Sequence, residues 1–147
     1  MFGSRDPKTQ GELAELAFLY RAASLGLVVS KPYGDTAPYD FIVGCRRRLT
    51  RIQVKSVAHN WRNGYRTTAG TGCAKRPYTK DDMDILALYI IPMDTWYLIP
   101  VEAFTPVKTI RCCPHLPNSN GRFERFREAW HLLGERFRRR KAKCEVA

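Results

Sequence analysis

Pro38-Tyr39-Asp40-Phe41-Ile42-Val43 and Arg51-Ile52-Gln53-Val54-Lys55-Ser56-Val57 are the stretches from which the fold of this chain is read, with Gln53 standing thirteen residues after Asp40. Each is apolar and β-branched enough to be a strand, and the turn-like Arg46-Arg47-Arg48 between them makes a hairpin the simplest connection. A hairpin sets Asp40 beside Gln53 and Lys55. Side chains alternate across a strand, so Arg51, Gln53 and Lys55 share one face while Ile52 and Val54 share the other. A carboxylate, an amide oxygen and an ammonium group on one polar face suit chemistry on an oxyanion. The oxygens hold a hard divalent cation, and the lysine steadies a hydroxide or a phosphate.

Toward the N-terminus, Thr9 or Asp6 caps a helix predicted from about Gly11 to Ser24, ending near Gly26. Leu13, Leu16, Ala17, Tyr20 and Ala23 form one apolar stripe, and Phe18, Leu19 and Ala22 widen it enough to pack the helix on two sides. Glu12 and Glu15 are three apart and share a face. Both fit as acids that favour a helix start, and either one fits a site. Leu27 to Lys31 reads as a first strand, followed by the loop Pro32 to Pro38.

Toward the C-terminus, Asn60 to Thr68 reads as a turn and then an extended strand, and Ala69 to Pro77 as a mobile loop. Thr79 caps a short turn over Lys80 to Asp84. The continuous apolar run Ile85 to Ile91 predicts a central strand buried on both faces. Thr95 to Pro100 is a further strand, and Val101 to Thr105 a short helix. A helix, a meander, a crossover and a buried strand make an α/β (α+β) chain of a single domain, with a core over residues 1–105. Residues 106–120 read as a loop. Residues 121–147 read as a basic amphipathic helix, in which Phe123, Phe126, Trp130, Leu133 and Phe137 form a seam that covers the core or a subunit interface.

Charge narrows the function. The chain carries 25 Lys+Arg against 14 Asp+Glu, a formal net charge of +11, which favours a polyanionic partner. From Phe41 to Lys80 there is no acidic residue, but ten Lys or Arg interleave with Trp61, Tyr65 and Tyr78. That pattern suits a surface that follows phosphates. Arg46, Arg47, Arg48, Arg51, Arg62, Asn63, Tyr65, Arg66, Lys75 and Arg76 are the candidate DNA contacts, reading base edges or touching backbone alone. No apolar run spans a bilayer and no leader pattern opens the chain, so a cytoplasmic protein is expected. Cys112, Cys113 and His115 are a conceivable zinc set but awkwardly spaced, and Asp81, Asp82 and Asp84 are either a second metal cluster or the ordinary acids of a helix start.

The pattern Glu15, Asp40, Gln53, Lys55 resembles the PD-(D/E)XK nucleases. With Gly11 to Glu15, Lys31-Pro32 and Ala37-Pro38-Tyr39-Asp40, the chain is similar, over roughly residues 8 to 102, to the small bacterial homing endonucleases encoded in group I introns. Those carry Gln where the wider superfamily has Asp or Glu. The resemblance implies a restriction-endonuclease-like core, a mixed sheet flanked by helices. It implies site-specific cleavage of double-stranded DNA with Mg²⁺ or Mn²⁺, held by Asp40, Gln53, the Val54 carbonyl and Glu15, while Lys55 handles the attacking hydroxide. It picks Glu15 over Glu12 and implies a homodimer or homotetramer. The rivals are a junction-resolving or repair nuclease of the same fold and a catalytically inactive DNA-binding protein.

Overall fold

The computed structural model describes residues 6–134. Helix α1 spans Pro7–Ser24, and Asp6 rather than Thr9 is its cap: the Asp6 carboxylate accepts from the backbone N–H groups of Lys8 and Thr9. Pro7, whose φ suits the first helical turn, lets the helix start before Gly11. The helix buries Ala14, Phe18 and Ala22 against the sheet and exposes Leu16 and Tyr20.

The predicted meander forms. Strands β1 (Val28–Ser30), β2 (Phe41–Cys45) and β3 (Arg48–Val57) pair antiparallel, with Phe41 opposite Ile52 and Cys45 opposite Arg48. The tip is therefore Arg46-Arg47 alone, and Arg48 belongs to the strand. The chain then crosses through β4 (Tyr65–Thr68), β5 (Gly70–Thr71) and β6 (Arg76–Pro77) to β7 (Ile85–Ile90), which runs parallel to β3. Strand β8 (Thr95–Pro100) closes the sheet antiparallel to β7, giving the order β1-β2-β3-β7-β8. All six residues of β7 are buried, as its unbroken apolar run predicts. The result is a mixed α/β domain built on one five-stranded mixed sheet.

Two stretches predicted as loop carry strands. Residues 70–77 form a small ribbon in which β5 pairs with β6, and a Cβ at Gly70 would collide with the carbonyl oxygens of Lys75 and Arg76. Helix α2 (Val101–Phe104) is followed by β9 (Thr109–Cys112), which pairs antiparallel with β4. The β4–β9 pair covers one face of β7 and β8 through Tyr65, Ile110 and Cys112, whereas α1 covers the opposite face.

The helix predicted from Gly121 is not formed over 121–134, where the chain makes 3-10 turns at Glu124–Phe126 and Trp130–Leu133. The reason is that its aromatic residues serve opposite faces of the sheet. Phe123 enters the core beneath β4–β9, while Trp130 and Leu133 join Phe18, Phe41 and Trp96 beneath α1. A straight helix cannot reach both. Between them the backbone satisfies the open edge of β8: Glu128 N–H donates to the Trp96 carbonyl at 2.7 Å, and the Glu128 carboxylate accepts from Trp96 N–H and Trp130 Nε1–H. The seam thus lies on the chain's own core, while Phe137 and the basic end lie outside the described residues. Among the described residues no helix is long and apolar enough to cross a membrane.

Candidate active site

Asp40 is fixed by the ladder it precedes. Its N–H donates to the Ile52 carbonyl at 2.8 Å, extending the β2–β3 pairing by one residue and aiming its side chain at the face that carries Gln53 and Lys55. One carboxylate oxygen, Oδ2, accepts from the Val54 N–H at 2.7 Å and from Gln53 Nε2–H at 2.8 Å. The same Gln53 amide donates to the Val54 carbonyl at 3.2 Å. The NH₂ group of Gln53 thus lies between the two oxygens that the sequence pattern offers to a metal.

The charges on this face are poorly compensated. Burial pushes the Asp40 carboxyl above the ordinary aspartate value; the Val54 N–H, Lys55 and Lys31 oppose the rise, and Glu15 adds to it. Burial likewise holds the Lys55 ammonium below the ordinary lysine value, opposed by Asp40 and reinforced by Lys75. A carboxylate and an amine that both resist their charged forms on one strand pair are the pattern of a reactive site. Glu15 stands at the margin. Its Oε2 accepts from Lys31 Nζ at 2.7 Å, and it is close enough to Asp40 to repel its charge.

The donor set fits a hard divalent cation. The Asp40 carboxylate, the Val54 carbonyl and, with its amide turned over, the Gln53 oxygen are all oxygen ligands. The positive end of the Gln53 amide marks a place where Asp40 and Val54 already favour positive charge.

A second group of acids is arranged in the opposite way. The Arg76 guanidinium clamps Asp82 with bonds of 2.9 and 2.7 Å, and Asp82 also accepts from the Thr79 N–H and hydroxyl. These bonds, Arg76 first, hold the Asp82 carboxyl down to about 2 despite its burial. Burial pushes Asp84 up, but the hydrogen bonds from the Arg51 side chain and backbone together outweigh it and leave Asp84 below the ordinary value. These acids brace the crossover and are not a second metal cluster.

The candidate DNA contacts divide accordingly. Arg51 is tied to Asp84 and to the carbonyls of Lys80 and Asp81, Arg76 is tied to Asp82, and Tyr65 is buried with its ring edge-on to His115. All three thus have partners within the chain; Tyr65 is withdrawn from the surface, while Arg76 stays exposed at its bond to Asp82. Arg46, Arg47, Arg48, Arg62, Asn63, Arg66 and Lys75 are exposed. Cys112, Cys113 and His115 form no metal site; burial lifts the Cys112 thiol to about 12, and His115 Nε2 lies 2.9 Å from Asn63 Oδ1. The sequence pattern gave no site role to Lys31, which pairs with Glu15, and placed Tyr78 on the phosphate-following surface, whereas it is a buried phenol that feels the Asp40 charge. The only signal for Lys31 was its place in the Lys31-Pro32 match.

A family model described as PD-(D/E)XK endonuclease matches residues 5–133. The structure of the bacterial homing endonuclease I-Ssp6803I superposes with a TM-score of 0.75 at 28% identity, covering 89% of this chain and 93% of that one. The Holliday junction resolvase Hjc of Archaeoglobus fulgidus gives a TM-score of 0.48 at 17% identity, covering 72% of this chain and 85% of its own, a likeness too slight to bear on function. A search of curated protein sequences gave no significant match.

Proposed function

The chain belongs to the PD-(D/E)XK endonuclease family, and from that premise we propose that it is a metal-dependent, site-specific endonuclease of the homing type that hydrolyses phosphodiester bonds in double-stranded DNA. The observation that carries this reading is the meeting of Asp40, Gln53, the Val54 carbonyl and Lys55 on one sheet face, with Asp40 and Lys55 both pushed toward their neutral forms. The similarity to a bacterial homing endonuclease over most of both chains supports the finer assignment.

Asp40, the Val54 carbonyl and the turned Gln53 amide would hold Mg²⁺ or Mn²⁺, with Glu15 completing the set through water. When bound, such an ion polarises the phosphodiester and lowers the charge barrier to attack by water. The Val54 N–H keeps the Asp40 carboxylate in place. Gln53 supplies an oxygen but no charge, so the site gathers less negative potential than one with a second acid, and the DNA phosphate is needed to complete it. Lys55 would hold the attacking hydroxide in line with the phosphorus and donate to a non-bridging phosphate oxygen, stabilising the charge that develops as the bond to the leaving oxygen breaks. Its half-buried ammonium, short of compensating charge, gains most when that negative charge arrives.

Arg46, Arg47, Arg48 and Lys75 then track phosphates. One site cuts one strand, so a homodimer or homotetramer is the assembly we propose for a double-strand break. The test is to incubate the protein with a randomised duplex library in Mg²⁺ and sequence the cut ends. Double-strand cuts within one recurring motif are the expected result. Absence of cleavage in both Mg²⁺ and Mn²⁺ contradicts the reading, and preferential cutting of four-way junctions replaces it with a junction-resolving enzyme.

A further inference from the structure

Arg62 and Arg66 differ from the other arginines of the acid-free crossover. Arg51 and Arg76 are bound to carboxylates. The Arg62 and Arg66 guanidinium groups instead each lie 4.6 Å from the centroid of the Trp61 ring, and among the described residues neither makes an ion pair or a side-chain hydrogen bond. Trp61 itself is 50% exposed, whereas Trp96 and Trp130 are buried. Stacking on an indole uses the flat face of a guanidinium and leaves its in-plane N–H donors free for a ligand.

The turn that carries Trp61 and Arg62 leads into β4, which carries Arg66, and it is held by several hydrogen bonds. Trp61 N–H donates to the Gly64 carbonyl at 2.8 Å, and the two residues between them, Arg62 and Asn63, have φ of 47° and 59°. Left-handed backbone at an arginine is costly and persists only when its surroundings impose it. Here Arg111 donates to the carbonyls of Arg62 at 3.2 Å and Asn63 at 2.9 Å, and His115 holds the Asn63 side chain. A Cβ at Gly64 would meet the Arg111 side chain, so a larger residue there displaces the arginine that holds the turn. The turn leads directly into the two-stranded β4–β9 ribbon, with Arg66 opposite Arg111.

We propose that Trp61 is a positioning residue which presents Arg62 and Arg66 as the base-reading pair of this protein, their planar forks set for the O6 and N7 acceptors of guanine in the major groove. Phosphate tracking needs only mobile positive charge, which Arg46, Arg47 and Lys75 supply. A stacked guanidinium on a strained, buttressed turn is organised for a bidentate partner, and the major groove admits a two-stranded ribbon. This inference rests on the DNA endonuclease reading above.

The test uses the full-length protein bound to a randomised duplex library in Ca²⁺, with the retained sequences read out. The wild type is expected to enrich a motif with guanine at two positions. Trp61→Ala should lose preference at those positions by about tenfold while keeping its melting temperature, Trp61→Phe should recover it, and Arg66→Lys should lose one position while keeping the charge. Should Trp61→Ala fold poorly, Arg66→Lys decides the matter alone. Unchanged preference in Trp61→Ala or in Arg66→Lys overturns the inference, as does a wild type that retains DNA without base preference. A wild type that retains no DNA overturns the endonuclease reading itself.

Discussion

Asp40 and Asp82 are both shielded aspartates with basic residues nearby, yet the protein treats them oppositely. Asp82 is gripped by a bidentate guanidinium and two Thr79 donors, and its carboxyl falls to about 2. Asp40 has an amide, a backbone N–H and no cation bonded to it, and burial lifts its carboxyl above the ordinary value. A brace is an acid whose partner is built into the chain. A reactive acid is one whose partner must arrive from outside, and the missing compensation is what a divalent cation would supply.

The largest expected effect separates the two by activity. Asp40→Asn or Lys55→Ala should lower Mg²⁺-dependent cleavage by at least ~10³-fold, with DNA retention changed by less than about tenfold because most phosphate contacts lie elsewhere. Asp82→Ala should leave cleavage per folded molecule near that of the wild type. Gel assays of cleavage and retention at matched folded concentrations check this, and an Asp82 variant as inactive as the Asp40 one would erase the distinction.

The smaller effect reverses the order. Asp82 is depressed from 3.8 to about 2, so its stabilisation, on the order of 2 kcal/mol, is complete above about pH 4 and lost as pH falls toward 2. Asp82→Ala should therefore lower the thermal midpoint by several degrees at pH 7 and by less at acid pH. Asp40 is raised above 3.8, so the sign is opposite: its ionised form costs stability at neutral pH, and the cost fades as pH falls through the folded value. Asp40→Asn should raise the midpoint of the metal-free protein at pH 7, with the gain shrinking on acidification. Calorimetry across pH checks both slopes.

The contrast also marks what the sequence made legible. Asp40, Gln53 and Lys55 could be placed together because they lie on one hairpin, where strand alternation alone sets facing. The apolar run of β7 was legible for the same local reason. The commitment of Arg51 to Asp84, thirty-three residues away, depends on β3 lying parallel to β7, which no local pattern reveals. Arg51 therefore read as a free cation, as did Arg76. Strand β9 was hidden because Thr109-Ile110-Arg111-Cys112 lies among prolines and is defined by pairing with β4. The C-terminal seam misled because aromatic residues spaced three and four apart suit a helix and equally suit separate turns that feed two cores.

The two carboxyl titrations separate the reactive acid from the brace most directly. Carbon-detected NMR of the metal-free protein, with aspartate side chains labelled, should place the Asp40 midpoint above 3.8 and the Asp82 midpoint at about 2. Addition of Mg²⁺ with a duplex should lower the Asp40 midpoint and leave Asp82 where it is. An Asp40 midpoint at or below the ordinary aspartate value, unmoved by metal and DNA, would mean that its partner is already in the chain and that this face is not the catalytic site.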